Sequence, residues 1–337
     1  MKKYLLPETG KFFKSNLHCH TNLSDGTMTP EEVKDMYKKN GYSVVAYTDH
    51  NVFLPHNDLT DDEFLAMGGF EMDINEPYGG EKKIFNDIKT CHICLVSLDK
   101  DKVTQPMWHR TKHQWGNIIE SAKNVVFDEN EPDYIREYSP ECINDIIKRG
   151  KEAGFFVTYN HPKWSIENYS DYMAYSGMDA MEIFNTGSWV SGFDEFNPEA
   201  YDDMLRGGKR LFCIATDDNH EMIDAFGGWV QIKAESLTYE NIAEALKKGD
   251  LYSSRGPEIH ELWFEDGYVH IKCSDARKIS YSVGRRSAKA VWGKEGETLC
   301  EASFEVLPED KYIRLTVTDS EGNTANTNAY FTDELFK

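Results

Sequence analysis

The sequence contains no run of about 18 apolar residues, the length that a membrane-spanning helix requires. Its first residues, MKKYLLPETGKFF, hold neither a sustained apolar stretch nor a small-residue cleavage site, so we expect no secretory signal peptide. Basic residues are few: 37 lysines and arginines stand against 58 aspartates and glutamates, a formal net charge of −21. This balance excludes a broad basic footprint for duplex nucleic acid or an anionic membrane, although it allows a small local patch.

Cysteine is also scarce, with seven residues at scattered spacings, and an odd number predicts reduced thiols in a cytoplasmic protein. The sequence has no internal repeat, no low-complexity segment and no glycine-rich phosphate loop. What it does have is 337 residues that are 40% apolar, enough for one large or two ordinary folded domains. A chain this acidic would repel an anionic metabolite unless the binding site contained a cation. The composition therefore points toward a bound metal ion.

The first three quarters of the chain alternate strand-like and helix-like segments. Thr29, Pro30 and Glu32 form a capping box that predicts the start of a helix, and Ser139-Pro140 and Thr238 predict two more. Buried-type strands are predicted over residues 42–48, 155–159, 178–184 and 211–216. Repeated β–α units of this kind predict a parallel sheet closed as a barrel.

The pattern changes near residue 255. From there to residue 337 we find short strands about ten residues apart and no helix, which predicts a small antiparallel β-sandwich. We therefore predict a first domain over 1–254 and a second over 255–337, with Trp263 and Trp292 in the core of the second. Residues 99–138 are irregular and are predicted to be a lid or an oligomer contact.

Histidines and carboxylates recur where candidate strands end. Because the carboxyl ends of parallel barrel strands meet on one face, these groups are expected to lie together. The spacing of His18 and His20 places both imidazoles on one side of a strand. Burying so many such groups without a cation would be very costly, and the imidazole–carboxylate mixture suits Zn, Mn or Fe. The residues are His18, His20, Asp25, Asp49, His50, Glu71, His92, His161, Asp217, Asp218 and His220.

These motifs carry a family resemblance. The segments NLHCHTNLSDGTMTPEEV and AYTDHN, with GGFE, CHICL, YNHP and TDDNH further on, resemble the PHP (polymerase and histidinol phosphatase) family over residues 14–233. The resemblance implies a distorted (β/α)7 barrel that holds two or three divalent metal ions. It also implies that the chain is the two-domain form of a metal-dependent phosphoesterase.

The resemblance implies nine metal ligands. They are His18, His20, Asp25, His50, Glu71, His92, His161, His220 and one aspartate of the last motif. Anchoring that motif on His220 selects Asp218, whereas anchoring it on the strand end selects Asp217, which we slightly favour. Asp49 is expected to orient the loop or a ligand imidazole. Asn16 stands where many relatives carry aspartate.

The expected reaction is attack by a metal-activated hydroxide, with no serine or cysteine nucleophile. Asp25, Glu71 and His220 are the predicted catalytic residues, and the leaving-group acid stays open between water bound by Asp25, His220 and a lid residue. Lys163 and Trp164 are candidates for the entrance, and Arg255 and Arg110 for phosphate contacts, although ordinary salt bridges explain the arginines equally well. Cys91 and Cys94 are read as packing residues.

We predict a metal-dependent phosphoesterase that acts on a small phosphate ester: a monoester, a nucleotide or a short oligonucleotide end. Inorganic phosphate would be its product and an inhibitor, with no membrane or duplex nucleic acid as partner. One alternative is a metal-dependent amidohydrolase with a non-phosphate substrate, and another is a binding protein without turnover. Oligomeric state, metal identity and the exact substrate do not follow from the sequence.

Overall fold

The computed structural model of the chain describes residues 2–81, 84–294 and 296–337. The strands are β1 (Lys3–Tyr4), β2 (Lys11–Asn16), β3 (Val44–Tyr47), β4 (Leu65–Asn75), β5 (Thr90–Ser97), β6 (Phe155–Tyr159), β7 (Ala180–Asn185), β8 (Phe212–Thr216), β9 (Trp229–Ala234), β10 (Leu251–Ser254), β11 (Ile259–Glu265), β12 (Tyr268–Ala276), β13 (Lys278–Val283), β14 (Ala288–Trp292), β15 (Leu299–Glu305), β16 (Tyr312–Thr318), β17 (Thr324–Thr327) and β18 (Tyr330–Phe331). The helices are α1 (Pro30–Lys39), α2 (Ile118–Ser121), α3 (Pro140–Glu152), α4 (Tyr169–Tyr172), α5 (Thr186–Val190), α6 (Pro198–Arg206), α7 (Tyr239–Lys248) and α8 (Thr332–Leu335).

The three predicted helices form where their caps place them. At the start of α1, the Thr29 hydroxyl accepts a hydrogen bond from the Glu32 backbone N–H, and the Glu32 carboxylate accepts one from the Thr29 N–H. These bonds satisfy backbone donors that have no partner inside the helix. Thr238 caps α7 in the same way, and Gly249 ends that helix with a φ of 72°. Both helices turn an apolar face to the core.

One large sheet organises most of the chain and combines parallel with antiparallel pairs. Its strands follow the order β14-β13-β16-β17-β10-β9-β2-β3-β4-β5-β6-β7-β8. The pairs β2–β3, β3–β4, β6–β7 and β7–β8 are parallel, as predicted. Strand β5 instead runs antiparallel to both β4 and β6. The prediction of a parallel sheet is therefore wrong at β5, and also at β9, which runs antiparallel to β2 and β10.

The two outer strands of the β2–β8 series meet through loops and not through a strand ladder. A single parallel bridge joins Cys19 to Asn219, and the His20 N–H donates to the Asn219 carbonyl at 3.1 Å. The Asp218 N–H donates to the His18 carbonyl at 2.9 Å. The fold is a mixed α/β structure, and a fully hydrogen-bonded seven-stranded barrel is not established.

The described part of the C-terminal region consists of strands apart from a 3₁₀ turn at Pro308–Asp310 and the four-residue helix α8, so the prediction of a region without helix is nearly but not fully met. Strands β11, β12 and β15 form a second sheet with β1, whereas β13, β14, β16 and β17 extend the large sheet through the β10–β17 pair. The two sheets enclose an apolar cluster that includes Ile259, Ile271 and Val317. The predicted boundary falls at the end of β10, and the division into 1–254 and 255–337 stays a prediction.

Two tryptophans expected in that core lie outside it. Trp292 on β14 is 57% exposed, and Trp263 on β11 is half-buried, with its ring stacked 4.9 Å from that of His270. Both occupy the outer side of their strands, because the alternating inward positions are filled by Leu262, Phe264 and Ile279. Within the described residues, no helix is long and apolar enough to cross a membrane.

Candidate metal centre

The predicted ligands converge because loops and strands deliver them to one edge of the sheet. His18 and His20 follow β2, His50 follows β3, His161 follows β6 and His220 follows β8. His92 is the third residue of β5, near its amino end. Since β5 runs antiparallel to its neighbours, its amino end lies where their carboxyl ends lie. The reversed strand thus still brings His92 to the site.

Glu71, inside β4 and fully buried, is the centre of the cluster. Imidazole nitrogens of five histidines lie 3.1–3.4 Å from its two oxygens; they belong to His18, His20, His50, His92 and His161. A carboxylate surrounded in this way can bridge two cations, one on each oxygen.

A second group lies beside the first and opens to the outside. The Asp25 carboxylate is 3.3 Å from His220 Nε2, 3.5 Å from His20 Nδ1 and 3.6 Å from His50 Nε2. Asp25 and His220 are the most exposed members of the cluster, with side chains 28% and 33% exposed. These two residues therefore face any molecule that enters.

The structure corrects the preference for Asp217. Its carboxylate accepts hydrogen bonds from the backbone N–H groups of Phe226, Gly227 and Gly228 and from the hydroxyls of Thr186 and Tyr37. These donors occupy both oxygens. Asp218 Oδ1 instead lies 3.1 Å from His18 Nε2 and 3.0 Å from His20 Nε2. Asp218 is thus the aspartate in the cluster.

Glu182 is a member of the site that the motifs did not reveal. It is buried in β7, and its Oε1 lies 2.7 Å from His18 Nδ1, while Oε2 accepts from the His161 N–H at 3.0 Å. A carboxylate on one imidazole nitrogen orients the ring and leaves the other nitrogen for a metal. The signal in the sequence was a lone acidic residue inside the apolar strand AMEIFN.

Two polar residues beside the cluster, Asp49 and Asn16, hold its loops in place. Asp49 accepts from the Thr21 N–H and hydroxyl and from the Ser24 hydroxyl, so it orients the loop that carries Asp25. Asn16 donates to the His18 carbonyl at 2.8 Å and accepts from the Asp217 N–H at 3.0 Å. Asparagine at this position therefore links the loops after β2 and β8.

Unpaired polar atoms in the cluster fit a bound cation. His50 Nδ1, Glu71 Oε2, Asp218 Oδ1 and both ring nitrogens of His92 are buried without a hydrogen-bond partner among the described residues. Leaving such atoms unpaired costs free energy that a metal ion would offset. Four groups of three or four side chains have ligand atoms within 4.8 Å of one another, namely His20, Asp25, His50 and His220; His18, His20, Glu71 and Asp218; His18, His161 and Glu182; and His50, Glu71 and His92.

The charges of the cluster are strongly coupled. Burial opposes the charged form of the His20 imidazole, but the Asp218 and Glu71 carboxylates raise its pKa to about 10. Burial also opposes ionisation of Glu71, yet the surrounding imidazoles hold its pKa well below the usual value. Burial lowers the pKa of His50 to about 4. The carboxylates are thus anionic and attract positive charge, which divalent cations would supply in place of protons.

A cavity of about 840 Å³ opens above the cluster. Its floor includes Asp25, His50, Glu71, His92, His161, Asp218 and His220. The side walls are largely aromatic or aliphatic and include Tyr78, Phe85, Trp115, Trp164, Val190 and Ile223. Trp115 comes from the 99–138 segment, and its ring lies 5.5 Å from that of His50. In the described part of the chain, no lysine or arginine lines the cavity.

The three basic residues expected to contact substrate make contacts with other parts of the protein. Arg110 pairs with Asp133 at 2.7 Å, and the Lys163 ammonium donates to the Phe196 carbonyl at 3.0 Å. The Arg255 guanidinium lies 3.9 Å from the centroid of the Phe184 ring. None of the three lines the cavity, so these expectations are corrected, whereas Trp164 does line it. Cys91 lies in the core beneath, and the Cys94 sulfur accepts a hydrogen bond from Asn160.

Comparison with known families finds a match for the part of the chain that carries the first ligands of this site. Residues 16–161 match the family model described as the PHP domain. The matched span holds the predicted ligands from His18 to His161, while Glu182, Asp218 and His220 follow it in the chain. The family match and the buried cluster both point to metal binding at this site.

Three solved structures resemble this chain at low sequence identity. A two-domain protein from Bacteroides vulgatus ATCC 8482, described as containing a predicted PHP-like metal-dependent phosphoesterase, is 14% identical, with 98% of this chain and 97% of that chain covered and a TM-score of 0.46. An amidohydrolase from Chromobacterium violaceum with bound sulfate is 15% identical, with 62% and 88% covered and a TM-score of 0.38. A protein from Bifidobacterium adolescentis ATCC 15703, provisionally described as a metal-dependent phosphoesterase, is 17% identical, with 72% and 98% covered and a TM-score of 0.36. A comparison with curated proteins finds no match.

Proposed function

We propose that the protein is a metal-dependent phosphoesterase that hydrolyses a small phosphate ester. The observation that carries the proposal is the position of Glu71, surrounded by five imidazoles at the floor of a cavity that no lysine or arginine of the described residues lines. The match of residues 16–161 to the PHP domain supports the same proposal. We propose two or three divalent ions, chosen from Zn, Mn and Fe, as the cofactors.

When bound, such ions lower the pKa of a coordinated water and neutralise charge on the phosphoryl oxygens. The residues of the chain position the ligands of the cluster. His18, His92 and His161 approach Glu71 from inside the fold, so they fix the position of its carboxylate. Glu182 accepts a hydrogen bond from the His18 Nδ1–H and keeps Nε2 directed at the cluster.

Asp25 and His220 are proposed to meet the substrate. His220 Nδ1 lies 3.0 Å from the Asp218 carbonyl and donates to it, which leaves Nε2 directed at Asp25. The electrostatic interaction with Asp25 and Asp218 helps to raise the pKa of His220 against the opposing effects of burial and of His20. His220 and Asp25, the most exposed members of the cluster, are thus placed at the cavity surface, within reach of a leaving oxygen.

The charge balance favours a phosphate over a neutral amide. Four carboxylates belong to the cluster, those of Asp25, Glu71, Glu182 and Asp218. Three divalent ions would bring six positive charges and leave an excess of about two, with the charge of the ions dominating the pocket. Outside the cluster, the charged residues that line the cavity in the described part of the chain are all acidic: Asp73, Glu221 and Asp224. We therefore propose a substrate with a single phosphate group and a leaving group that packs on the aromatic walls.

Metal analysis followed by a phosphate-release screen tests the proposal. Nucleotides, sugar phosphates and p-nitrophenyl esters would be compared with amide substrates. We expect bound transition metal, phosphate release and competitive inhibition by inorganic phosphate. Hydrolysis of an amide together with indifference to millimolar phosphate would instead favour the amidohydrolase alternative. Location in the cytoplasm stays a prediction.

A pair of isosteric variants connects the chemistry to the cluster. Asp218→Asn removes one negative charge that lies 3.0 Å from His20 Nε2, whereas Glu221→Gln removes one at the rim of the same cavity. We expect Asp218→Asn to reduce metal affinity and turnover by about tenfold or more, in the range known for altered metal surroundings. Glu221→Gln should keep the metal content. Equal metal content and activity in both variants would refute the proposed site.

A further inference from the structure

The β13–β14 hairpin, residues 277–294, differs in charge from the rest of this acidic chain. It contains Arg277, Lys278, Arg285, Arg286, Lys289 and Lys294 and no aspartate or glutamate. Acidic residues flank it in the sequence, at Asp275 and Glu295. At physiological ionic strength charges act over about 8 Å, so a local basic patch can attract an anion although the net charge of the chain is −21.

The hairpin forms one end of the large sheet. Strand β14 pairs with β13 on one side, and its other side carries no strand within the described residues. All five residues of β14 are exposed. Arg285 pairs with Asp310, but no acidic partner is present for Arg286 or Lys289 in the part of the chain that the structure describes. The edge is therefore accessible and positively charged.

An exposed tryptophan lies among these cations. Trp292 is 57% exposed, and its pairing with Lys278 places both side chains on one face of the hairpin. The Lys278 ammonium lies 5.3 Å and the Arg277 guanidinium 5.9 Å from the Trp292 ring centroid. The same face continues over Ala290 and Ala288, whose small side chains leave the indole accessible from that side.

Protection of a sheet edge explains the lysines but not the tryptophan. Charged side chains, lysine above all, keep edge strands from pairing with other chains. An exposed indole beside Val291, which is 38% exposed, works against that protection. Antiparallel pairing of two β14 strands would bring the basic groups of two copies together, so a second copy is a poor occupant.

We propose that this hairpin binds single-stranded nucleic acid, with a base stacked on Trp292 and phosphates held by the surrounding cations. An aromatic platform within a basic surface is the combination that single strands require, because every base has a face that can stack. Lys278 supplies positive charge on the face that carries Trp292. Arg286 supplies it at the turn of the hairpin, and Lys289 supplies it along the edge strand β14. The hairpin takes no part in the metal centre, so this inference does not depend on the proposed hydrolytic function.

Fluorescence anisotropy with a labelled dT12 oligonucleotide, blocked at both ends, tests the inference on the metal-loaded protein. Inorganic polyphosphate of similar charge serves as the probe without bases. We expect dT12 to bind with a logarithmic salt slope of about −2 to −3, as three or four phosphate contacts on a single strand predict. Excess inorganic phosphate, which would compete at the metal centre, should not displace it.

Variants separate stacking from charge. Trp292→Ala should weaken dT12 binding by about tenfold or more and leave polyphosphate binding unchanged, whereas Trp292→Phe should retain most of the dT12 affinity. Lys278→Glu combined with Lys289→Glu should weaken both probes and flatten the salt slope. Lys247→Glu combined with Lys248→Glu, an exposed double change of equal charge on α7, should alter neither.

Three results would overturn the inference. The first is a lack of dT12 binding at 50 mM salt, and the second is unchanged dT12 affinity in Trp292→Ala, which would reduce the hairpin to a general anion patch. The third is a dimer in sedimentation experiments that Trp292→Ala converts to a monomer, which would assign the edge to a second copy. Each readout is binding or mass, so a failure here leaves the phosphate-release experiment untouched.

Discussion

Replacing Glu167 by glutamine should change how the free energy of unfolding depends on pH. The Glu167 carboxylate is 7% exposed and accepts hydrogen bonds from the hydroxyls of Tyr138, Tyr159 and Tyr175 at 2.8, 2.7 and 2.5 Å. Burial nevertheless raises its pKa from 4.5 to about 7. It connects the 99–138 segment, through Tyr138, to the loop after His161.

The sign follows from proton linkage. Between pH 4.5 and about 7 the folded protein holds a proton on Glu167 that the unfolded chain has released. The free energy of unfolding therefore falls as pH rises through this window, and the loss is complete above pH 7. One pKa unit corresponds to about 1.4 kcal/mol, so the full contribution is about 3 kcal/mol.

Glutamine resembles the protonated acid and cannot ionise. We expect Glu167→Gln and the wild-type protein to have similar unfolding free energies at pH 5, and the variant to be more stable by about 2–3 kcal/mol at pH 8. Urea unfolding at pH 5, 6, 7 and 8 measures the difference. Glu129→Gln, at an exposed position, should show an offset that does not vary with pH. A constant offset for Glu167→Gln would refute the reasoning.

Three further changes have outcomes that the contacts predict. Glu182→Gln should lower metal affinity by about 10- to 100-fold, because His18 loses the carboxylate on Nδ1; metal titration with unchanged affinity would contradict this role. Arg314→Met should cost about 3–5 kcal/mol by leaving Asp202 buried without its partner, whereas a variant that replaces both residues with apolar ones should recover most of the loss in chemical unfolding. Gly249→Ala should cost about 1–3 kcal/mol, because φ is 72° and a Cβ would lie 2.2 Å from the Phe212 ring; an unchanged melting temperature would exclude that strain.

The sequence predicted features that depend on neighbouring residues. The capping residues of α1 and α7 form local hydrogen bonds, so their helices could be placed from the sequence. Strand direction depends on pairing between distant segments, so the antiparallel course of β5 and β9 did not follow from the repeated β–α pattern. Asp217 and Asp218 are adjacent and chemically alike. Only the backbone, with φ of 51° at Asp218, determines which of them turns toward the histidines.

Because a single bridge, between Cys19 and Asn219, joins the loops after β2 and β8, the metal centre would also stabilise the fold. The cluster draws ligands from the loop just after β2 and from the loop just after β8, and no ladder joins these two strands within the described residues. A cation held by His20 and His220, or by His18 and Asp218, would act as a cross-link that closes a loop of about 200 residues. In the unfolded chain such a closure would remove conformational entropy equivalent to about 5 kcal/mol, by the estimate used for disulfides. The ions would then stabilise the fold as well as take part in the reaction. Removal of the ions by a chelator would destabilise the structure first between the loops that follow β2 and β8.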